Sequence, residues 1–235
     1  MKIELLEMTS DPEKIIYTSA RQCYSNKDAT EIFIDTQKMK KEKIEKFMRD
    51  IVNSGHESVL EHVKFTFAIS GVSRALTHQL VRHRIASYSQ QSQRYVNMED
   101  FNYIIPPSIK KDKILFEIYT NILNEIKNSY KRLIERFREL GLEGELANQD
   151  ARYILPNATE TKIVVTMNCR ELLHFFKVRC CTRAQWEIRE LAYKMLQICK
   201  EKLPSIFDKS GAKCEFLGYC PEGEKFSCGR YPIKK

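Results

Sequence analysis

Between Glu61 and Glu99 the chain carries no Asp or Glu, yet this interval holds Lys64, Arg74, Arg82, Arg84 and Arg94 together with three of the five histidines. At its centre stands Arg82-His83-Arg84, followed by hydroxyl and amide side chains from Ser87 to Gln93 and then by Arg94 and Tyr95. Guanidinium is a planar five-donor fork that stays charged at working pH and matches phosphate oxygens, while Ser and Gln supply donors and acceptors for the edge of a heterocycle. The stretch therefore reads as a nucleotide-phosphate site. The competing reading is a solvated basic face, because cations near a helix C-terminus are favoured by the helix dipole without any ligand. Consecutive helical residues point about 100° apart, so three adjacent side chains cannot serve one ligand from a helix interior. Arg82-His83-Arg84 is expected where a helix ends and an extended segment starts.

A second group of chemically capable residues lies between Asn168 and Arg179. Asn168 can cap a helix, with Glu171 at the capping-box position. Arg170 and His174 then fall one turn apart, away from Leu172, Phe175 and Phe176, and Arg179 comes just beyond the helix. A structural cap and a solvated charge are the plain alternatives for Asn168 and Arg170. His56 and His62 do not share a helix face, and their order relative to Glu fits neither form of the zincin helix, so no metal is expected there.

Eight cysteines, at 23, 169, 180, 181, 199, 214, 220 and 228, include no C-x-x-C pair and fit no structural zinc pattern. Most read as small buried hydrophobes. Cys214, Cys220 and Cys228 cluster in the tail after Gly211, where a redox or zinc role stays open.

The elements that must position these groups follow from periodicity and punctuation. Lys2 to Met8 reads as a strand, and Asp11-Pro12 opens a helix. A helix from about Lys40 to Ser54 places Ile44, Phe47, Met48, Ile51 and Val52 on one face and stops at Gly55. Val63 to Ile69 alternates as a strand, with Phe65 and Phe67 on one side. After Gly71 a short helix is expected to deliver Gln79 and Arg82, spaced i and i+3, to one face. Pro106-Pro107-Ser108 opens the longest helical stretch, which runs to Gly141 with Leu115, Tyr119, Ile122, Ile126, Tyr130, Leu133 and Phe137 as a core or subunit-interface stripe. Ile163 to Thr166 is strand-like. Thr182 with Gln185 reads as the cap of a last long helix, to about Leu203, that buries Ile188, Leu191, Ala192, Met195, Leu196 and Cys199.

The chain has 235 residues, 43% hydrophobic and 30% charged, enough for one substantial core and without an internal repeat or linker, so a single domain is expected. A net charge of +8 favours acidic partners, nucleic acid or small phosphorylated ligands. Glu4 and Glu7 interrupt the N-terminal segment, and no stretch is long and apolar enough to span a bilayer. A cytoplasmic location with reduced cysteines and no membrane partner is therefore expected.

Taken together these segments resemble the flavin-dependent thymidylate synthase family. Its signature, Arg-His-Arg, seven residues, then Ser, is met by Arg82-His83-Arg84 and Ser92. Gly55-His56-Glu57-Ser58-Val59-Leu60-Glu61-His62 upstream, and Ala151-Arg152-Tyr153-Ile154-Leu155-Pro156, Asn168-Cys169-Arg170-Glu171-Leu172 and Ala184-Gln185-Trp186-Glu187-Ile188 downstream, are similar to further family blocks in the same order.

The resemblance implies a methyltransferase that makes dTMP from dUMP, with 5,10-methylenetetrahydrofolate as carbon donor and FAD, reduced by NADPH, as hydride carrier. It implies contacts to FAD from Ser58, Arg82, His83, Arg84, Gln90, Asn168, Arg170 and His174. It implies contacts to dUMP from Gln79, Arg82, Gln90, Gln91, Ser92, Gln93, Arg94, Arg152 and Arg179, with Arg94 and Arg152 as phosphate clamps. Arg179 is the candidate for the chemical step, as an electrostatic stabiliser of negative charge on the pyrimidine and not as a base. Gln90, His174 and Gln93 depart from the carboxylate, Asn and Gly common in the family, so a proton-accepting role at residue 90 is in doubt. His56 is a candidate for stacking or gating near flavin and folate.

The resemblance further implies an α+β subunit, an antiparallel sheet flanked by helices, assembled as a homotetramer with active sites between subunits. No G-x-G-x-x-G is present, which argues against an ordinary dinucleotide fold. No cysteine lies in the nucleophile motif of the other thymidylate synthase class, so a reaction without a covalent enzyme link is expected. The rival from another functional class is a nucleic-acid binder, using the basic balance and Tyr88, Tyr95 and Tyr103 as stacking platforms.

Overall fold

The structure is a computed structural model and describes residues 1–234. It is α+β, with a four-stranded antiparallel sheet in the order β1-β2-β4-β3 and helices between the strands. The elements run β1 (Lys2–Met8), α1 (Pro12–Gln22), α2 (Ala29–Thr36), α3 (Lys41–Ser54), β2 (Lys64–Ser73), α4 (Arg74–Leu80) and β3 (Ala86–Gln90). They continue with α5 (Pro107–Lys110), α6 (Lys113–Glu139), α7 (Glu145–Ala151), β4 (Glu160–Asn168), α8 (Cys169–Arg179), α9 (Trp186–Lys202), α10 (Pro204–Phe207) and α11 (Lys213–Leu217). Two compact units are distinguished within the chain.

The first unit comprises Met1–Lys2, Ile69–Val81 and Ser89–Val164. Its core gathers Met98, Phe101, Tyr130, Ile134, Ala147 and Ala151, with Ile126 and Phe137 packed against them. The long apolar stripe of α6 therefore has two fates. Tyr130 is fully buried, whereas Leu115, Ile118 and Ile122 stay about half exposed, at 48%, 52% and 50%. The helix also starts later than its sequence indicates. Pro107 opens only the four-residue α5, and α6 begins anew where the Asp112 carboxylate accepts the Leu115 amide at 2.9 Å. At Gly71, φ is +67° and an added Cβ would stand 3.0 Å from the Met1 nitrogen, so glycine is required both for the turn and for the close approach.

The second unit comprises Ile3–Ala68, Arg82–Tyr88 and Val165 onward. Its core is aromatic. Phe65 lies 6.1 Å from Phe67 and meets Phe207 edge-on at 5.8 Å, and Phe207 meets Phe176 at 6.0 Å. Alternation in β2 sends Phe65 and Phe67 inward and Lys64 outward, as a strand with one covered face demands. The face of α3 built from Ile44, Met48 and Ile51 is buried, and Gly55 ends that helix at φ +75°. On α9 all six residues of the expected stripe are buried. Its cap is Gln185 alone, which accepts the amides of Glu187 and Ile188; Thr182 lies outside the cap.

Candidate active site

Arg82, His83 and Arg84 sit, as their adjacency requires, between the end of α4 at Leu80 and the start of β3 at Ala86. Arg82 therefore lies beyond the helix that carries Gln79 in its last turn, and the two do not share a helix face. The three side chains have different fates. Arg82 and Arg84 are exposed, and among the described residues neither is paired with a carboxylate, whereas His83 is 6% exposed.

His83 is held from both sides. Its Nδ1 lies 2.9 Å from Glu171 Oε1, and its Nε2 accepts the Arg179 Nε–H at 3.1 Å. Only one protonation state satisfies both contacts: a neutral ring with the proton on Nδ1. Burial, opposed by the Glu171 hydrogen bond and assisted by the Arg179 charge, holds the His83 pKa below its ordinary value. The local sequence makes this possible through an incomplete cap. Asn168 accepts the Glu171 amide at 2.8 Å, but the Glu171 side chain turns to His83 instead of back to the Asn168 amide. The expected capping box is thus half formed.

Arg179 is the last residue of α8, not a residue beyond it. Burial lowers its guanidinium from the usual value without threatening its charge. With Nε–H given to His83, four N–H bonds on the two terminal nitrogens remain for a ligand.

Around the start of α8 a cavity of about 350 Å³ is bordered by Glu57, Glu61, Ile85, Asn168, Arg170, Glu171 and His174. Arg170 is ion-paired with Glu61 and lies 3.8 Å from Glu57, so its charge is balanced before any ligand arrives. The turn of 3₁₀ helix from Glu57 to His62 supplies both carboxylates and carries Ser58 exposed, with His56 at its head.

In the first unit, Gln79, Gln90, Gln91, Ser92, Gln93, Arg94 and Arg152 fall within one compact body. Gln90 donates its amide to Thr77 Oγ1 at 3.0 Å and to Thr161 Oγ1 at 3.3 Å, which fixes the side chain and leaves its carbonyl oxygen as the functional end. Ser92 accepts the Arg94 amide at 3.1 Å in a tight turn. Arg94 is ion-paired with Glu145, and its carbonyl accepts from Asn148 at 3.2 Å. The run without carboxylates is therefore not uncompensated throughout: Glu145 and Glu171 reach it from distant sequence.

Among the described residues, neither Arg74 nor Arg152 is paired with a carboxylate. Arg74, at the first position of α4, is lowered by burial and then by the charge of Arg152, and its side chain donates to the Gln91 carbonyl at 3.5 Å. A partly buried guanidinium with a second one within electrostatic reach is suited to an anion. Arg74 was not among the site residues singled out from sequence. It was counted with the cations of the carboxylate-free interval, but its relation to Arg152, far along the chain, could not be read from local spacing.

All eight cysteines are free thiols. Cys169 and Cys199 are raised by burial, and Cys180 is pushed up to about 12 by burial. Cys180, Cys181, Cys214, Cys220 and Cys228 border one small cavity beside the tail. Among the described residues no group of three or more His, Cys, Asp or Glu has the arrangement of a metal site.

An α+β fold whose exposed Arg82 and Arg84 lack carboxylate partners among the described residues suits a protein that handles anionic ligands, and comparison narrows the class. The family model described as "Thymidylate synthase complementing protein" matches residues 4–205. The chain is 50% identical to the flavin-dependent thymidylate synthase of Nitratidesulfovibrio vulgaris over 236 residues, covering 100% of this chain and 96% of that one. It is 48% identical to the enzyme of that name from Clostridium tetani, over 98% of this chain and 94% of that one. With the Pyrococcus furiosus protein of the same name it shares 46% identity, over 94% and 90% of the two chains. The chain belongs to the flavin-dependent thymidylate synthase family.

Proposed function

We propose that the protein is a flavin-dependent thymidylate synthase that methylates dUMP to dTMP, with 5,10-methylenetetrahydrofolate as carbon donor and NADPH as reductant. Kinship with enzymes of that name along the full chain is the observation that carries the reading. The whole chain then acts as one catalytic domain, with a cysteine-bearing tail, about residues 211–235, beyond the 4–205 matched by the family model.

The donor set fits FAD. A dinucleotide needs cations for its pyrophosphate and neutral polar walls for its nucleoside, and both are present near α8. Arg82 and Arg84, exposed and without carboxylate partners among the described residues, would hold the pyrophosphate. The cavity lined by Asn168, Arg170 and His174 is balanced in charge by Glu57 and Glu61 and would take an uncharged portion of the cofactor. Ser58 and Gln90 would add hydrogen bonds. Both ring nitrogens of His83 are engaged within the protein, which leaves any FAD contact of residue 83 to its backbone. When bound, FAD supplies the hydride that completes the methyl group.

For dUMP, Arg74 and Arg152 would grip the phosphate as a pair, with Gln79, Gln91, Ser92 and Gln93 about the sugar and base. Arg94 would join them if its bond to Glu145 yields, and Arg82 would be shared with the cofactor. Arg179, preset by His83, would place two N–H bonds against the pyrimidine carbonyl and stabilise the negative charge that makes C5 nucleophilic. Cys180, which adjoins Arg179, is not poised for addition to C6, because it is buried and held protonated.

The assembly that best serves this reading is a homotetramer with active sites between protomers. The exposed apolar side of α6, with Ile114, Leu115, Ile118 and Ile122, supports it, because a row of this kind calls for a partner. Purified protein should be yellow and bleach with NADPH, and tritium should leave C5-labelled dUMP only with folate and NADPH present. A colourless protein that binds oligonucleotides with steep salt dependence would refute the reading.

A further inference from the structure

We infer that Glu171 and His83 are positioning residues for Arg179, forming a buried relay in which the carboxylate fixes the imidazole tautomer and the imidazole fixes the guanidinium. The inference deepens the reading of Arg179 given above and rests on it.

Each link is geometric. Glu171 is anchored by its own amide, which donates to Asn168 Oδ1 at 2.8 Å, so its carboxylate approaches from the first turn of α8. That carboxylate accepts from His83 Nδ1 at 2.9 Å, with both side chains nearly sealed from solvent at 6% and 8% exposure. A proton held on Nδ1 obliges Nε2 to be an acceptor, and it accepts from Arg179 Nε at 3.1 Å. Packing completes the frame. The Phe175 ring meets the imidazole edge-on at 4.9 Å, and the Tyr88 hydroxyl donates to the His83 carbonyl at 2.7 Å.

A guanidinium bound through Nε cannot rotate about its last side-chain bond, so its two terminal nitrogens point in one direction before substrate binds. Preorganised donors of this kind stabilise developing charge without reorganising during the reaction. The relay also explains why residue 83 is buried between two exposed arginines. It faces the protein because it serves Arg179.

The relay is sensitive to protonation. A proton added at Nε2 removes the acceptor and sets a cation against Arg179. The groups facing the ring are Glu171 and His174 from α8, Arg179 at the end of that helix, and Tyr88 from β3 at the backbone; His174 is 5.8 Å away, ring to ring. Turnover should therefore fall on the acid side as His83 protonates, below the ordinary imidazole range.

The test compares Glu171→Gln, Glu171→Ala and Arg179→Ala holoenzymes. Gln retains an acceptor for Nδ1–H, so Glu171→Gln should keep kcat within about threefold. Because it removes the charge that favours imidazolium, its acid limb should move to lower pH. Glu171→Ala should lose kcat by about 10- to 100-fold with the KM for dUMP changed less than about threefold, the split expected when a transition-state contact loosens. ¹⁵N spectra of His-labelled protein should show a single Nδ1–H tautomer in wild type and Glu171→Gln. If Glu171→Ala does not fold, the Glu171→Gln pH profile and the tautomer still decide. Full activity of Glu171→Ala beside an inactive Arg179→Ala would overturn the relay and leave the role of Arg179 standing. Full activity of Arg179→Ala would overturn that role itself. An Nε2–H tautomer in wild type would overturn the relay directly.

Discussion

Replacing Arg152 with Ala should separate stability from substrate binding in opposite directions. In the free protein burial and then the charge of Arg152 lower the pKa of Arg74, so each guanidinium raises the cost of the other's charge. Removing one relieves a repulsion between partly exposed groups, worth about 0.2–1 kcal/mol by the scale of exposed charge pairs. For a chain of 235 residues that corresponds to a rise in Tm of up to about 2–4 °C. With dUMP bound the sign reverses. A hydrogen bond to a charged group contributes about 1.5–3 kcal/mol, so losing the phosphate contact should weaken dUMP about 10- to 150-fold. Arg74→Ala should weaken it comparably. The double variant should lose less than the sum of the two, because both grip one phosphate. Isothermal titration with dUMP and with deoxyuridine checks this, since the nucleoside lacking phosphate should bind wild type and both variants alike. A folded Arg152→Ala protein that melts lower than wild type yet binds dUMP equally well would refute the reasoning.

Other consequences are directly measurable. Phe67→Ala, at a fully buried position in the aromatic core, should cost about 3–5 kcal/mol in chemical denaturation. Ile118→Glu, on the half-exposed side of α6, should reduce the assembly seen by light scattering while leaving the protomer's circular dichroism intact. In timed alkylation read by mass spectrometry, the exposed Cys23 and Cys228 should react first and the buried Cys169 and Cys199 last. Cys228 should keep reacting below the ordinary thiol range, because hydrogen bonds from the Thr182 side chain and the Arg230 backbone lower its pKa. Each single Cys→Ser variant that folds should retain turnover, and complete loss in folded Cys180→Ser or Cys181→Ser would contradict a mechanism without an enzyme thiol adduct.

Much of the local order was legible because it depends on neighbours in sequence. The strand of alternating Phe65 and Phe67, the helix stopped by Gly55 and the buried stripe of α9 each follow from a period or a terminator within a few residues. The placement of Arg82-His83-Arg84 at a helix-to-strand junction followed from the angular step of a helix alone. Where sequence misled, a competing partner decided. Proline at 107 began only one turn, since the Asp112 cap restarted the helix. The capping-box pattern at Asn168 and Glu171 was half realised, because a buried imidazole 88 residues away offered Glu171 a better partner than a solvated amide.

Charge shows the same division most clearly. The row of residues fixed how many cations lie between Glu61 and Glu99 and what ligands those cations suit, since side-chain chemistry is intrinsic. Only the tertiary structure decided which of them remain available. It brought Glu145 to Arg94 and Glu61 to Arg170, put Arg74 within the electrostatic reach of Arg152, and turned His83 inward against Arg179. Electrostatic balance depends on distance in space, and distance in space is what a linear pattern does not carry.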